Sequence, residues 1–329
     1  MKKTLCTFII LCMTICLCAC TNAVETVVQE ESEDLIVVGF TQVGAESDWR
    51  AANTKSMQEA FSEANGYKLI FDDAQQKQER QITAIRNFIQ QRVDYIVLAP
   101  TTMTGWDTVL SEAKAADIPV IIVDREIETD DTSLFTCWVG SDFINEGEKA
   151  VTWLEETLND KANEELINIV HLQGNLDSSA QIGRTTSLDK GLENNEKWNL
   201  LARGSGEFTQ AKGQEVMEQF LSEYEDIDVL YSENDNMTYG AIDAMEAVGI
   251  TPGEDIIIIS FDANRSALEL SLEGKINYIV ECNPLHGPRV STIIEQLEKG
   301  EKPQKFTYVE ETAFDMNSLT KEMIEKRAY

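Results

Sequence analysis

The chain has few of the residues on which several large classes of protein depend. Lys and Arg together number 27 in 329 residues, against 58 Asp and Glu, which gives a formal net charge of −31 at pH 7. A surface of this sign repels phosphate backbones and anionic lipid, so it excludes nucleic acid as a partner and leaves a membrane reachable only through an anchor. With 43% hydrophobic residues and only 6 Pro, the composition is that of a folded protein of about two domains.

Histidine and the common catalytic motifs are also scarce. The two histidines, His171 and His286, have no second ligand at the spacing of a zinc site, so we predict no metal. The phosphate-binding GxxxxGK[ST], a GxGxxG that opens a helix after a strand and the hydrolase GxSxG are all missing. These absences predict that the protein is not an enzyme and carries no cofactor.

The N-terminus has the layout of an export signal. Two lysines precede a mostly apolar stretch at 5–17, which is too short to cross a bilayer comfortably. The sequence LCAC that ends at Cys20 resembles the bacterial lipobox, in which the last cysteine is lipidated and becomes the first mature residue. We therefore predict a lipoprotein signal peptide at 1–19, lipidation at Cys20 and a flexible, acidic tether at 20–34. An ordinary secretory signal rich in cysteine is the alternative.

Few cysteines remain beyond the signal. Of the 7 cysteines in the chain, only Cys137 and Cys282 follow Cys20, which is too few for a disulfide framework. Two buried thiols or one bridge between them are both compatible with an exported protein.

Apolar runs alternate with helical patterns along the body of the chain. Helices are predicted between the runs, for example where Ile82, Ile85 and Ile89 are spaced three and four apart. Strands are predicted at 35–40, 67–71, 95–99 and 120–123 and, after the pattern restarts near Trp138, at 167–172, 199–202, 228–231, 256–261 and 276–280. Because these runs are continuously apolar, they predict parallel strands covered on both faces, and so two α/β domains.

Polar side chains lie at or soon after the ends of several predicted strands, where ligands bind in open parallel sheets. They are Asp124, Arg125, Arg184, Asn234, Asp262 and Glu281. A carboxylate accepts two hydroxyl groups and arginine donates a rigid fork, so this set suits a ligand made of hydroxyls. Trp49 or Phe261 is expected to cover the C–H face of such a ligand. Each Asp or Asn alone has the alternative role of capping the next helix.

Several segments carry a more specific signal. They are VGFTQVGAESDWRAA at 38–52, QQKQE at 75–79, the pair Asp124-Arg125, GEFT at 206–209 and the pair Asn234-Asp235. With these segments the chain resembles the bacterial periplasmic sugar-binding proteins of the ribose and galactose type, which serve ABC transporters, and within them the galactofuranose-binding members.

The resemblance implies a type I periplasmic binding protein: an α/β fold of two Rossmann-like lobes with parallel sheets, joined by a three-segment hinge. The N-terminal lobe would comprise 35–139 plus 284–312, and the C-terminal lobe 140–283 plus 313–329. A bridge between Cys137 and Cys282 would lie near the hinge and stiffen it.

The resemblance also implies which residues bind the sugar. Trp49 would stack on the ring, while Arg50 would donate hydrogen bonds and Asp124 with Arg125 would clamp hydroxyls. Arg184, Asn234 and Asp262 would reach the sugar from the second lobe. The remaining implied contacts are Glu46, Ser47, Asp48 and Glu281.

The implied function is that of a lipid-anchored extracytoplasmic receptor. As a monomer it would capture a monosaccharide, galactofuranose or a related sugar, and deliver it to an ABC transporter permease and ATPase. The same fold could instead present its sugar to a chemoreceptor or a sensor kinase, and a nucleoside is an alternative ligand. A repressor with this core would need a basic DNA-binding domain where the export signal stands.

Overall fold

The computed structural model describes residues 35–162 and 165–329. The predicted signal peptide, the lipidation site Cys20 and the tether at 20–34 lie outside the described residues. No helix in the described ranges is long and apolar enough to cross a membrane.

Strands and helices alternate through the described part of the chain. The strands are β1 (Ile36–Gln42), β2 (Tyr67–Asp73), β3 (Tyr95–Leu98), β4 (Val120–Val123), β5 (Cys137–Gly140), β6 (Ile167–Gln173), β7 (Trp198–Ser205), β8 (Val229–Ser232), β9 (Ile257–Asp262), β10 (Tyr278–Glu281), β11 (Phe306–Tyr308) and β12 (Ala313–Asp315). The helices are α1 (Asp48–Ala60), α2 (Gln78–Gln91), α3 (Asp107–Ala115), α4 (Phe143–Ala162), α5 (Ser179–Asn194), α6 (Gln210–Glu223), α7 (Asp235–Ala247), α8 (Arg265–Leu272), α9 (Gly287–Glu298) and α10 (Lys321–Glu325).

The strands form two six-stranded sheets. The first has the order β11-β5-β4-β3-β1-β2 and is parallel throughout. The second has the order β12-β10-β9-β8-β6-β7 and is parallel except for β12, which runs antiparallel to β10. We call the first sheet with its packed helices the N-lobe and the second the C-lobe. The predicted α/β class with two parallel-sheet lobes is confirmed.

The chain passes between the sheets along three segments, which follow β5, β10 and β11. Ser141 lies in the first segment, Asn283 in the second and Glu311 in the third. The two lobes are therefore joined by three neighbouring connections.

The cores explain why the strand sequences are continuously apolar. In β3, Ile96 and Leu98 pack on one face with Phe88 and Trp106, while Val97 and its neighbours pack on the other. Both faces of the sheet are covered by helices, so every side chain of the strand is buried. The C-lobe repeats this arrangement with one core cluster on each face of its sheet.

The possible bridge between Cys137 and Cys282 does not form. Both thiols are free and buried. Cys137 lies in β5 within the N-lobe core. Cys282 follows β10, with its Sγ 3.4 Å from the Ser141 hydroxyl.

Candidate ligand-binding site

A cavity lies between the lobes, at the carboxyl ends of the parallel strands. It contains about 300 Å³ of space free of protein atoms, part of which is open to solvent. Residues of both lobes line it: Glu46, Ser47, Trp49, Arg50, Asp124, Arg125, Phe143, Ala180, Arg184, Phe208, Asn234, Asp262 and Cys282.

The start of α1 places two of these side chains. Ser47 caps the helix, and its hydroxyl accepts a hydrogen bond from the Arg50 N–H at 3.2 Å. The chain therefore turns from β1 directly into a helix at the edge of the sheet, with Trp49 and Arg50 in the first turn. Both side chains are buried, and the Trp49 indole N–H donates to the Cys282 carbonyl at 2.8 Å.

Arg50 is the cation of the N-lobe half of the cavity. Its Nη1 lies 2.6 Å from Asp124 Oδ2 and its Nε 2.9 Å from Glu46 Oε1. Burial alone would raise the pKa of Asp124, but the guanidinium groups of Arg50 and Arg125 more than offset it, so this pKa lies below its usual value. Asp124 is consequently a carboxylate at neutral pH and a hydroxyl acceptor.

Arg125 has hydrogen-bonding capacity to spare. One of its nitrogens donates to the Thr101 carbonyl at 3.2 Å, and its guanidinium lies 5.2 Å from the centre of the Phe208 ring. Burial, followed by the charge of Arg50, lowers the pKa of Arg125 to about 10, so it is still charged at neutral pH. Its Nε is buried without a partner in the described structure, as is Glu46 Oε2. Buried polar atoms are nearly always paired, so these two point to a polar ligand.

Arg184 is the cation of the C-lobe half. It lies in α5, where its Nε donates to Glu146 Oε2 at 2.8 Å and its Nη1 to the Glu233 carbonyl. Its remaining nitrogen is 3.9 Å from Asp262 Oδ1. These contacts fix the guanidinium beside the cavity.

Asn234 both caps a helix and lines the cavity. Its Oδ1 accepts from the Met237 N–H at 2.9 Å at the start of α7, and its Nδ2 donates to the Phe208 carbonyl at 3.3 Å. The capping role predicted as an alternative is therefore present together with the predicted position at the site.

Asp262 ends β9 with a left-handed φ of 105°. Burial, followed by the charge of Asp235, raises its pKa well above the usual value. Asp235 lies behind it, and burial first of all raises the pKa of Asp235 to about 7. The surroundings of Asp262 in the C-lobe half of the cavity thus favour its neutral form, which can donate a hydrogen bond.

The aromatic walls differ from the sequence prediction. Trp49 lines the cavity as expected, but Phe261 lies in the C-lobe core, 4.7 Å from the Arg184 guanidinium. Phe143 and Phe208 line the cavity instead. Phe208 lies in the segment GEFT, and its left-handed φ of 58° turns the ring inward between β7 and α6.

Two predicted contacts do not line the cavity. The Asp48 side chain is exposed, and only its backbone N–H crosses the cleft, to Asn236 Oδ1 at 3.0 Å. Glu281 binds the C-terminal segment through Arg327 at 2.9 Å and the Tyr329 hydroxyl at 3.0 Å. The other predicted residues all lie in the cavity wall.

Hydrogen bonds beside the cavity join the lobes across the cleft. They connect Asp48 with Asn236 at 3.0 Å, Gln76 with Asn175 at 2.9 Å, Met103 with Asp177 at 3.1 Å and Glu126 with Ser179 at 2.9 Å. The structure therefore shows the lobes closed around the cavity.

Metal-ligating side chains also meet near the hinge. The ligand atoms of Glu146, Cys282 and Glu311 lie within 4.8 Å of one another. Arg184 already neutralises Glu146, while the Ser141 hydroxyl and the Asn283 N–H donate to Glu311. These partners oppose a metal cation, so we assign no metal there.

Comparison with known proteins identifies similar chains. A model described as "Periplasmic binding protein domain" matches residues 38–317. The galactofuranose-binding protein YtfQ of Escherichia coli K12 is 38% identical over 296 residues, which cover 89% of this chain and 91% of that protein.

Two solved structures are similar in fold and sequence. One, from Mycobacterium smegmatis in complex with β-D-fucofuranose, has 42% identity and a TM-score of 0.83 and covers 86% of this chain and 92% of the other. The second is the periplasmic binding protein of the arabinose ABC transporter from Shewanella sp. ANA-3, bound to α- and β-L-arabinofuranose. It has 39% identity and a TM-score of 0.83 and covers 89% of this chain and 95% of the other.

Proposed function

Because this chain belongs to the periplasmic binding protein family, we propose that it captures a monosaccharide in its furanose form and delivers it to an ABC transporter permease. The family consists of extracytoplasmic, sugar-binding transport proteins and not of enzymes. The proposed ligand is galactofuranose or a related sugar, and the proposed lobe boundaries are those given above from the sequence.

The observation that carries the proposal is the chemistry of the cavity wall. The carboxylate of Asp124 accepts hydroxyl hydrogens, while Arg125 Nε donates to a hydroxyl oxygen. Trp49, Phe143 and Phe208 supply flat apolar surfaces for the C–H faces of a sugar ring. A ligand with many hydroxyls and an apolar face satisfies both sets of groups.

The relatives support a furanose. Of the three similar proteins described above, one is a galactofuranose-binding protein, one is in complex with β-D-fucofuranose and one is bound to α- and β-L-arabinofuranose.

Calorimetric titration tests the proposal. The chain from residue 20 onward, with Cys20→Ala, is titrated with galactose, whose solutions contain the furanose form, and with L-arabinose, D-fucose, ribose and glucose. We expect a Kd of about 1 μM or tighter for one of them. Asp124→Ala should abolish the heat, whereas Asp130→Ala, which removes an exposed carboxylate of the following loop, should retain it. No heat with any sugar would overturn the proposed ligand class.

The proposed anchor has its own test. Wild-type cells grown with labelled palmitate should carry label on this protein, and Cys20→Ala should remove the label and release the protein from the membrane. An unlabelled wild-type protein would contradict lipidation and favour an ordinary secretory signal.

A further inference from the structure

One oxygen atom joins the three segments that connect the lobes. Glu311 Oε1, in the segment after β11, accepts a hydrogen bond from the Ser141 hydroxyl at 2.7 Å and another from the Asn283 N–H at 2.6 Å. Ser141 lies in the segment after β5 and Asn283 in the segment after β10. Because the three connecting segments meet at this oxygen atom, rotation of one lobe relative to the other must move the residues of this junction.

A second carboxyl group faces the junction. Glu146 in α4 is buried, and its Oε2 holds Arg184 at the sugar cavity. Its Oε1 is also buried but has no hydrogen-bond partner in the described structure. Glu146 and Glu311 offer oxygen atoms within 4.8 Å of each other. Both the Cys282 thiol, which lies within the same distance, and a proton on Glu311 would supply a donor to Glu146.

The surrounding charges place the proton on Glu311. Besides Glu146, the acidic groups near Glu311 are Glu281 and the Cys282 thiol. Burial is the main reason why the pKa of this thiol lies well above its usual value. The nearby cations are engaged elsewhere. Arg184 pairs with Glu146, Arg289 donates to the Leu285 carbonyl, and Lys149 donates at 2.7 Å to the backbone carbonyl of Glu311. Burial first of all raises the pKa of Glu146 as well, but Glu146 has the counter-charge of Arg184, whereas no cation among the described residues pairs with the Glu311 carboxyl.

We propose that Glu311 keeps its proton at neutral pH and donates it to Glu146, so that the junction acts as a proton-dependent latch for the closed lobes. The effect reaches the cavity because Glu146 also holds Arg184. The consequence for ligand affinity rests on the proposed sugar-binding function, whereas the state of the proton does not.

Glu311 is half-buried, and the partial loss of its contact with water sets the direction of the pH effect. Burial, followed by the charge of Glu146, raises the pKa of Glu311 from its usual 4.5 to about 9. The folded form thus holds a proton that the unfolded chain releases. Its stabilising effect is complete below pH 4.5 and is lost progressively as the pH rises to about 9. One such proton changes the unfolding equilibrium constant by up to about tenfold per pH unit in this window.

The first experiment needs no sugar. Urea unfolding is measured between pH 6 and pH 9 for the wild type, Glu311→Gln and the control Glu310→Gln, which removes the exposed neighbouring charge. The amide of glutamine reproduces the donor and acceptor of a protonated carboxyl group. Glu311→Gln should therefore lose up to about tenfold per pH unit of the wild-type pH dependence and should be at least as stable as the wild type at pH 8.5. Glu310→Gln should keep the wild-type dependence.

Two other results would overturn the proposal that Glu311 is protonated and acts as a latch. A Glu311→Gln protein that retains the wild-type pH dependence and is less stable at every pH would show that Glu311 is ionised. A Glu311→Gln protein that does not fold would overturn it too, because the amide should fit the site of a protonated acid.

The second experiment links the latch to the cavity. The affinity for galactose should fall more steeply from pH 6.5 to pH 8.5 in the wild type than in Glu311→Gln, because Asp235 and Asp262 contribute to the pH dependence equally in both proteins. An equal fall in both proteins would overturn the link between the latch and the cavity. If the wild type binds none of the sugars in the panel, the proposed function fails, while the unfolding data still decide whether Glu311 is protonated.

Discussion

The two halves of the cavity use the same residue types but differ in charge. Each lobe has an aspartate at or just after a strand end in left-handed backbone, Asp124 with a φ of 64° and Asp262 with a φ of 105°. Arg50 lies 2.6 Å from Asp124, and Arg184 lies 3.9 Å from Asp262. The pKa of Asp124 is lowered and that of Asp262 is raised.

The neighbours of each aspartate explain the difference. Both are buried, and burial favours the neutral acid in each case. Asp124 has two guanidinium groups beside it, those of Arg50 and Arg125, whereas Asp262 has Asp235 beside it and an arginine already paired with another acid. Position in the fold brings an aspartate to the cavity, but the surrounding charges decide whether it accepts or donates a hydrogen bond.

The largest effect should come from removing the cation of the N-lobe half. Arg50→Gln leaves Glu46 and Asp124 buried without their counter-charge, which should cost about 3–5 kcal/mol of unfolding free energy. Sugar binding should be lost at the same time. Urea unfolding measures the first effect and calorimetry the second. Lys55→Gln on the exposed face of the same helix should change stability by less than about 0.5 kcal/mol.

A matched pair of substitutions tests the charge difference itself. Asp124→Asn replaces an ionised acceptor and should weaken binding about 100-fold, because hydrogen bonds to charged groups are worth about 1.5–3 kcal/mol. Asp262→Asn replaces a neutral acid with a group of the same shape and should weaken binding about tenfold or less. Equal losses in the two variants, measured by calorimetry at pH 7, would contradict the assigned charges.

The smallest of these effects should come from an aromatic wall. Phe208→Leu keeps an apolar surface but removes the ring, which should weaken binding about fivefold, within the range of about 0.5–1.5 kcal/mol for aromatic contacts. Phe71→Leu, on a side chain that is 38% exposed and outside the cavity, should leave the Kd unchanged. A loss of 100-fold on Phe208→Leu would mean that the ring also holds Arg125 in place.

The sequence predicted the parts of the site that strand order determines. Asp124, Arg125 and Asp262 follow or end apolar strands, so their arrival at one edge follows from the parallel arrangement. The strands β11 and β12 have only three residues each, too few for a continuous apolar run, and they were not predicted. In β11 the side chains of Phe306 and Tyr308 are about half exposed.

The sequence did not predict the contacts that depend on turns and on closure of the lobes. Phe208 reaches the cavity only because consecutive left-handed residues turn the chain there, and Gly174 leaves the space its ring occupies. Phe143 begins α4, and nothing in its local pattern distinguishes it from a core residue. Glu281 lies at a strand end like the other candidates, but the C-terminal segment occupies its carboxylate, which a local pattern does not reveal.

Trp49 makes lobe movement visible without a label. It belongs to an N-lobe helix, but its ring packs with the C-lobe core and only 4% of its surface is exposed. Trp106 and Trp138 pack within the N-lobe core and Trp198 within that of the C-lobe. When the lobes part, the indole of Trp49 passes from an apolar environment into water while those three keep theirs. Its fluorescence emission should then shift to longer wavelength, so stopped-flow mixing with a sugar would follow closure in real time.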